Sequence, residues 1–155
     1  LVESGYMKPH PKESLRRKKK QRREKPRPLS FKASSGNTIL VGLNNRQNDY
    51  LTFKIAAGRD TWLHVQGLPG SHVIIKGASE TAAESDLEEA ALLAAYYSRG
   101  RDLPAVAVDY TEVRHLRRAP GGKPGFVLYN RYQTITVNPR GEKLKQLLQQ
   151  HIPEN

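Results

Sequence analysis

The chain has 155 residues, 37% hydrophobic and 26% charged, with no cysteine and a formal net charge of +11. That suits one domain with a single core and excludes a disulfide framework or a thiolate zinc site. No apolar run approaches the ~20 residues of a membrane helix, and the N-terminus lacks the apolar segment of a secretory signal. A cytoplasmic protein is therefore expected. With Leu1 where an initiator Met would stand, the chain reads as a piece of a longer protein.

The charge is unevenly placed. Residues 1–32 carry 12 Lys/Arg and 3 Asp/Glu, a net of +9, whereas residues 33–155 carry 14 and 12, a net of +2. Residues 1–30 read as a basic flexible arm and 31–155 as the domain. The run Leu15 to Arg23, with Arg16, Arg17, Lys18, Lys19 and Lys20 at its centre, suits RNA phosphates or an acidic membrane surface. Pro26 and Pro28 break any helix before the domain begins. The alternative reading of the arm is a solvated linker whose charges only keep the chain dissolved.

The domain opens at Phe31 with a turn over Ser34 to Asn37, and Thr38 to Val41 reads as a strand. Asn48 is the expected N-cap of a short helix reaching Ala57. Trp62 to Val65 and His72 to Lys76 read as strands joined by the turn Gly67-Leu68-Pro69-Gly70. Ser85 and Glu88 form an expected capping box for a helix through Tyr97, with Gly100 as its stop. Ala105 to Val108 is a strand, and Glu112 to Arg118 alternates weakly. Phe126 to Tyr129 and Thr134 to Val137 resemble a hairpin around Asn130-Arg131-Tyr132, and a helix from Glu142 to about Gln150 closes the chain. The strands clustered near the end predict an α+β fold: a mixed or largely antiparallel sheet packed with about three helices.

Four constellations carry possible chemistry. Asn44, Asn45, Arg46, Gln47, Asn48 and Asp49 lie between a strand and a helix, where amides can read base edges and Arg can fork onto phosphate. The same residue types also make ordinary turns and caps. Strand alternation puts Asp60, Trp62 and His64 on one face and Thr61, Leu63 and Val65 on the other, the core side. Trp62 beside His64 suits a base-stacking platform; a buried Trp anchoring the domain is the equal alternative. Ser71 and His72 follow, with His72 close to His64 if the two strands pair. Arg114, Arg117, Arg118 and Lys123 form the strongly basic patch inside the domain, either phosphate contacts or exposed loop charge. Asp60, His64 and His72 offer carboxylate and imidazole ligands, but their spacing is no zinc signature. No nucleophile–base pair or carboxylate cluster is apparent, so a non-enzymatic module without metal or cofactor is expected.

The ordered motifs Val41 to Thr52, Asp60 to His64, Pro69 to Ile75 and Lys123 to Val127 resemble the RNA-binding C-terminal domain of the NFACT family. The resemblance runs roughly from Gly36 to Val137. Residues Glu3 to Met7, followed by the basic run, look like the family's segment between its coiled coil and this domain. Ala91 to Ser98 and Val108 to Thr111 look closest to its bacterial ribosome-rescue branch. Leu63 stands where the family often has Phe, a conservative change on an inward position.

The resemblance implies an RNA-binding module of a ribosome-associated quality-control factor. Its implied partners are tRNA, the large ribosomal subunit carrying a stalled peptidyl-tRNA, and the rest of the parent protein, with no membrane. It implies support for mRNA-independent alanine tailing, which this piece alone is not expected to perform. Asn44 through Asp49, Asp60, Trp62, His64, Ser71 and His72 carry over as binding candidates. Because some members are labelled fibronectin-binding proteins, a protein-binding or adhesin module is the alternative.

Overall fold

The computed structural model describes residues 27–77 and 83–153. The strands are β1 (Leu29–Lys32), β2 (Thr38–Val41), β3 (Thr61–Val65), β4 (Val73–Ile75), β5 (Val106–Glu112), β6 (Arg117–Arg118), β7 (Val127–Leu128), β8 (Gln133–Val137) and β9 (His151–Ile152). The helices are α1 (Asn45–Tyr50), continued by a π-helical turn over Leu51–Ile55, then α2 (Glu84–Tyr96) and α3 (Glu142–Gln149). Seven strands form one sheet in the order β8-β5-β3-β4-β2-β1-β9, and β6 pairs with β7 in a separate ribbon. Every pairing among these strands is antiparallel. This is the α+β architecture expected from the sequence.

Strand β3 explains the layering. Its side chains alternate between two faces, and both are covered. Leu63 and Val65 join Ile39, Val41, Val73, Val108 and the small-residue helix α2 in the main core. Ala90, Ala91, Ala94 and Ala95 let that helix lie close against the sheet, and Leu144 and Leu147 bring α3 beside it. On the opposite face Trp62 and Ile74 pack with Leu51 and Leu116, flanked by Ile55, Val113, Val127 and Tyr129. The second layer is thus the α1/π-helical segment and the β6–β7 ribbon.

Three local expectations are corrected. The N-cap of α1 is Asn44, whose Oδ1 accepts from the Gln47 backbone N–H at 2.9 Å, while Gln47 Oε1 accepts from Leu43 N–H at 2.9 Å. Asn48 instead lies buried inside that helix. Helix α2 begins at Glu84 after Ala83, without the Ser85–Glu88 capping box. Its buried acids face the β1–β2 turn: Asp86 accepts from Ser35 and Asn37, and Glu89 from Ser34. The hairpin expected around Asn130-Arg131-Tyr132 does not form, because β7 pairs with β6 and β8 with β5.

Candidate nucleic-acid interface

Between the second layer and the β3–β4 turn lies a cleft of about 330 Å³. Its walls are Asn45 and Asn48 from α1, His64 from β3, Leu68 to Gly70 from the turn, and Gly125 to Val127 with Tyr129 from the ribbon. Trp62 is its buried floor, at 0% exposure. His64 lies parallel to the indole, with ring centroids 5.8 Å apart and 4° between planes. His72 and Tyr129 approach the same indole edge-on at 5.3 and 4.9 Å. His64 and His72 sit 5.6 Å apart, so strand pairing does bring the two histidines together. The Trp62 face is therefore not an open platform, since its neighbours already cover it. The rings a ligand meets are those of His64, Tyr129 and Phe126, all partly exposed.

The polar residues sort into structural and available groups. Asn44 and Gln47 are spent on capping α1. Asn48 Oδ1 accepts from the His72 backbone N–H at 3.0 Å, and its Nδ2 donates to the Gly70 carbonyl at 3.5 Å, tying α1 to the β3–β4 turn. Asp49 accepts from Arg118 Nη1 at 2.6 Å and from Gly125 N–H at 3.2 Å, tying α1 to the ribbon. Gly125 has φ +82°, and a Cβ on it would sit 3.0 Å from the Asn45 carbonyl oxygen, so a side chain there is disfavoured twice. Arg118 lies over the Phe53 ring at 4.3 Å, and Arg114 pairs with Glu112 at 3.0 Å. Arg46, Arg117 and Lys123 are exposed, with Lys123 near the Phe126 ring. Ser71 is buried, and its backbone N–H donates to the Tyr97 carbonyl at 3.1 Å. Arg16, Arg17, Lys18, Lys19 and Lys20 lie outside the described residues.

Asp60 does not face the histidines as a ligand. It is 2% exposed and accepts from Lys76 Nζ at 2.8 Å and from the backbone N–H groups of Ala57 and Gly77 at 2.8 and 3.1 Å. Burial opposes its ionisation, but these bonds outweigh burial and hold the carboxyl below its ordinary 3.8. Among the described residues, no group of three His, Cys, Asp or Glu is arranged to hold a metal ion.

Sequence reasoning missed Asp109 and Tyr129. Asp109 is the β5 residue opposite His64 in the sheet register. Its buried carboxylate accepts from Tyr129 OH at 2.8 Å, Thr134 Oγ1 at 2.9 Å and Gln66 Nε2 at 3.0 Å. That network fixes the Tyr129 ring over Trp62, and burial together with the Asp109 bond raises the Tyr129 hydroxyl well above its usual pKa. The alternation of β5 is visible in the sequence, but its pairing with β3 is not.

Both cleft histidines are neutral at pH 7. Burial, reinforced by the nearby His64, pushes His72 down to about 3, against the bond its ring donates to the Gly125 backbone carbonyl. Its Nδ1 shares a 2.7 Å hydrogen bond with Thr52 Oγ1. Burial also lowers His64, opposed by backbone bonds at Val65 and Gly70 and by the Asp109 charge. The cleft thus offers stacking surface and neutral hydrogen-bonding groups rather than imidazolium charge.

Unfolded histidines take up protons near pH 6.5, whereas these folded ones resist until lower pH, so the unfolded state binds more protons in between. Stability is expected to fall on acidification from about pH 6.5 toward 3, by up to about 1.4 kcal/mol per pH unit for each resisting histidine. Denaturant titrations at stepped pH check this, and His72→Gln is expected to flatten the dependence by about one proton.

The pattern of the NFACT protein RNA binding domain matches residues 27–129. The chain belongs to the NFACT family. It is 44% identical over 147 residues to the Rqc2 homolog RqcH of Bacillus subtilis (strain 168), covering 95% of this chain and 25% of that protein. It is 40% identical over 148 residues to the Rqc2 homolog RqcH of Streptococcus suis (strain 05ZYH33), again covering 95% and 25%. The solved C-terminal part of the fibronectin/fibrinogen-binding protein from Streptococcus suis superposes with a TM-score of 0.75 at 41% identity, over 80% of this chain and 50% of that one. The chain spans about a quarter of the length of these RqcH relatives. As an NFACT domain, it is the family's RNA-binding module, and the cleft beside the Asn44–Asp49 motif is its candidate interface. Among the described residues no helix is long and apolar enough to cross a membrane.

Proposed function

We propose that this domain is the RNA-contacting module of a ribosome-associated quality-control factor. In this reading the parent protein binds large ribosomal subunits carrying stalled peptidyl-tRNA in the cytoplasm, and supports mRNA-independent alanine tailing. The domain itself performs no catalysis; it holds tRNA or rRNA. The observation that carries the reading is the cleft: preformed by Asn48 and Asp109, edged by the His64 and Tyr129 rings, and lined by neutral groups that suit an unstacked base. Asn45, Arg46, His64, Arg117 and Lys123 are the folded domain's proposed contacts. Asn44, Gln47, Asn48, Asp49, Asp60, Trp62, Ser71 and His72 act by shaping it, with Arg114 and Arg118 on its basic flank. The basic N-terminal arm preceding β1, including Arg16, Arg17, Lys18, Lys19 and Lys20, supplies sequence-independent phosphate attraction.

The test is a salt-dependent tRNA titration of the full chain against a variant with those five arm cations changed to Gln. The variant is expected to bind more weakly, with a log–log salt slope shallower by up to about 0.9 for each lost phosphate contact, while keeping a preference for tRNA over heparin. Loss of all preference would move recognition into the arm. A second reading, a protein-binding module, draws on the name of the Streptococcus suis structure. Fibronectin binding that survives high salt and nuclease treatment would favour it.

A further inference from the structure

A second cleft, of about 340 Å³, lies on the other side of the wall formed by Asn45, Asn48, Pro69 and Gly70, which line both. The wall is rigidly tied to the end of α2. Gly70 pairs with Ser98, Arg99 N–H donates to the Pro69 carbonyl at 3.1 Å, and Ser71 N–H donates to the Tyr97 carbonyl at 3.1 Å. The second cleft differs from the first in charge. Among the described residues, the first has no Lys, Arg, Asp or Glu in its lining, whereas the second contains Arg99 and Arg101 and no acid. Arg101 is held in place: its guanidinium lies 4.0 Å from the centre of the Tyr96 ring, and its Nε donates to the Tyr96 carbonyl at 2.8 Å. A guanidinium held over a ring can serve both as a stacking partner and as a phosphate clamp. Leu43, exposed at 48%, completes the rim.

We infer that the domain takes two neighbouring unstacked nucleotides of one RNA strand, astride the Asn45–Gly70 wall. The base of one lies against His64 and Tyr129; the phosphate and ribose of the next meet Arg99 and Arg101. The proposal rests on the RNA-binding reading and narrows its substrate to a single-stranded end or loop. A duplex keeps its bases stacked and paired, and so cannot part them across a wall.

The test uses the full chain and follows Trp62, the chain's single Trp, whose emission reports on the cleft through its contacts with His64 and Tyr129. A short oligoadenylate is titrated against a blunt RNA duplex of equal length. The single strand is expected to change the emission saturably and the duplex not to. Arg101→Gln and Arg99→Gln, both at exposed positions, are each expected to weaken the single strand about tenfold and to reduce the salt slope by about 0.7. If single strand and duplex behave alike, or if both variants keep wild-type affinity and slope, the two-nucleotide site is overturned. If the oligonucleotide leaves the emission unchanged while tRNA binding still depends on His64, this site falls and the RNA reading stands. If tRNA binding is also indifferent to His64, both fall.

Discussion

Trp62→Ala is expected to cost about 3–5 kcal/mol of folding stability, the range for removing a large aromatic from a core. The indole is fully enclosed and joins strands β3 and β4 to the π-helical turn and the β6–β7 ribbon through Leu51, Ile74, Leu116, Val127 and Tyr129. A domain of this size is commonly stable by only about 5–15 kcal/mol, so the variant loses a large share of its margin. Any loss of RNA binding in Trp62→Ala would then report unfolding, not a missing stacking partner. Trp62→Phe separates the effects. Among the described residues indole Nε1 has no hydrogen-bond partner, so phenylalanine loses ring volume while removing an unsatisfied donor, and is expected to be markedly milder. Thermal and denaturant unfolding of the two variants reads the difference directly.

Gly42→Ala is expected to be nearly as damaging, from a change of one methyl group. A Cβ at residue 42 would sit 2.2 Å from Asn48 Oδ1, with the Asn48 backbone N and Cα at 3.0 and 3.1 Å. The backbone atoms cannot step aside, because Gly42 N–H itself donates to the His72 carbonyl at 3.0 Å. Asn48 must turn away, leaving the His72 N–H without its acceptor. Overpacking of this kind costs about 1–3 kcal/mol, and a stranded buried donor about 1–3 kcal/mol more. The histidine cleft is expected to open with it. Arg46→Ala, in the neighbouring motif and exposed, is the matching control and is expected to stay within about 0.5 kcal/mol of wild type in the same unfolding measurements.

The same residues mark how far the sequence can be read. The alternation in Thr61 to Val65 correctly separates Leu63 and Val65 from Trp62 and His64, and the small-residue face of α2 and the Leu144/Leu147 stripe of α3 are legible as core-facing. What covers Trp62 is not legible, because Leu51, Ile74, Leu116 and Val127 come from four separated segments. The choice of strand partner is equally non-local. Phe126 to Tyr129 and Thr134 to Val137 look like adjacent arms of a hairpin, yet the first belongs to the ribbon with β6 and the second to the sheet with β5. Strands β1 and β9 are short and pair with each other across the whole length of the domain, a contact no local pattern announces.

The Asn44–Asp49 motif is chemically rich at first sight, but its division of labour is hidden. Side-chain type alone does not distinguish an amide that caps a helix from one that lines a cleft. Here Asn44 and Gln47 close the turn, Asn48 and Asp49 fasten α1 to its neighbours, and Asn45 reaches both clefts. The Ser85 capping box is not formed because the helix already begins at Glu84, and its buried acids Asp86 and Glu89 answer hydroxyls and an amide from a turn some fifty residues earlier in the chain.

Whether the folded face recognises RNA is decided by adding His64→Ala to the arm-neutralised full chain and comparing tRNA affinity at fixed salt. His64 is partly exposed on the cleft wall, where its ring stacks on Trp62, so the variant is expected to lose some stability but to keep its fold in unfolding measurements. The expected result is about a tenfold or greater loss of affinity relative to the arm-neutralised parent, as for one lost base-stacking contact. A folded His64→Ala chain that binds tRNA as well as that parent would contradict recognition by this face.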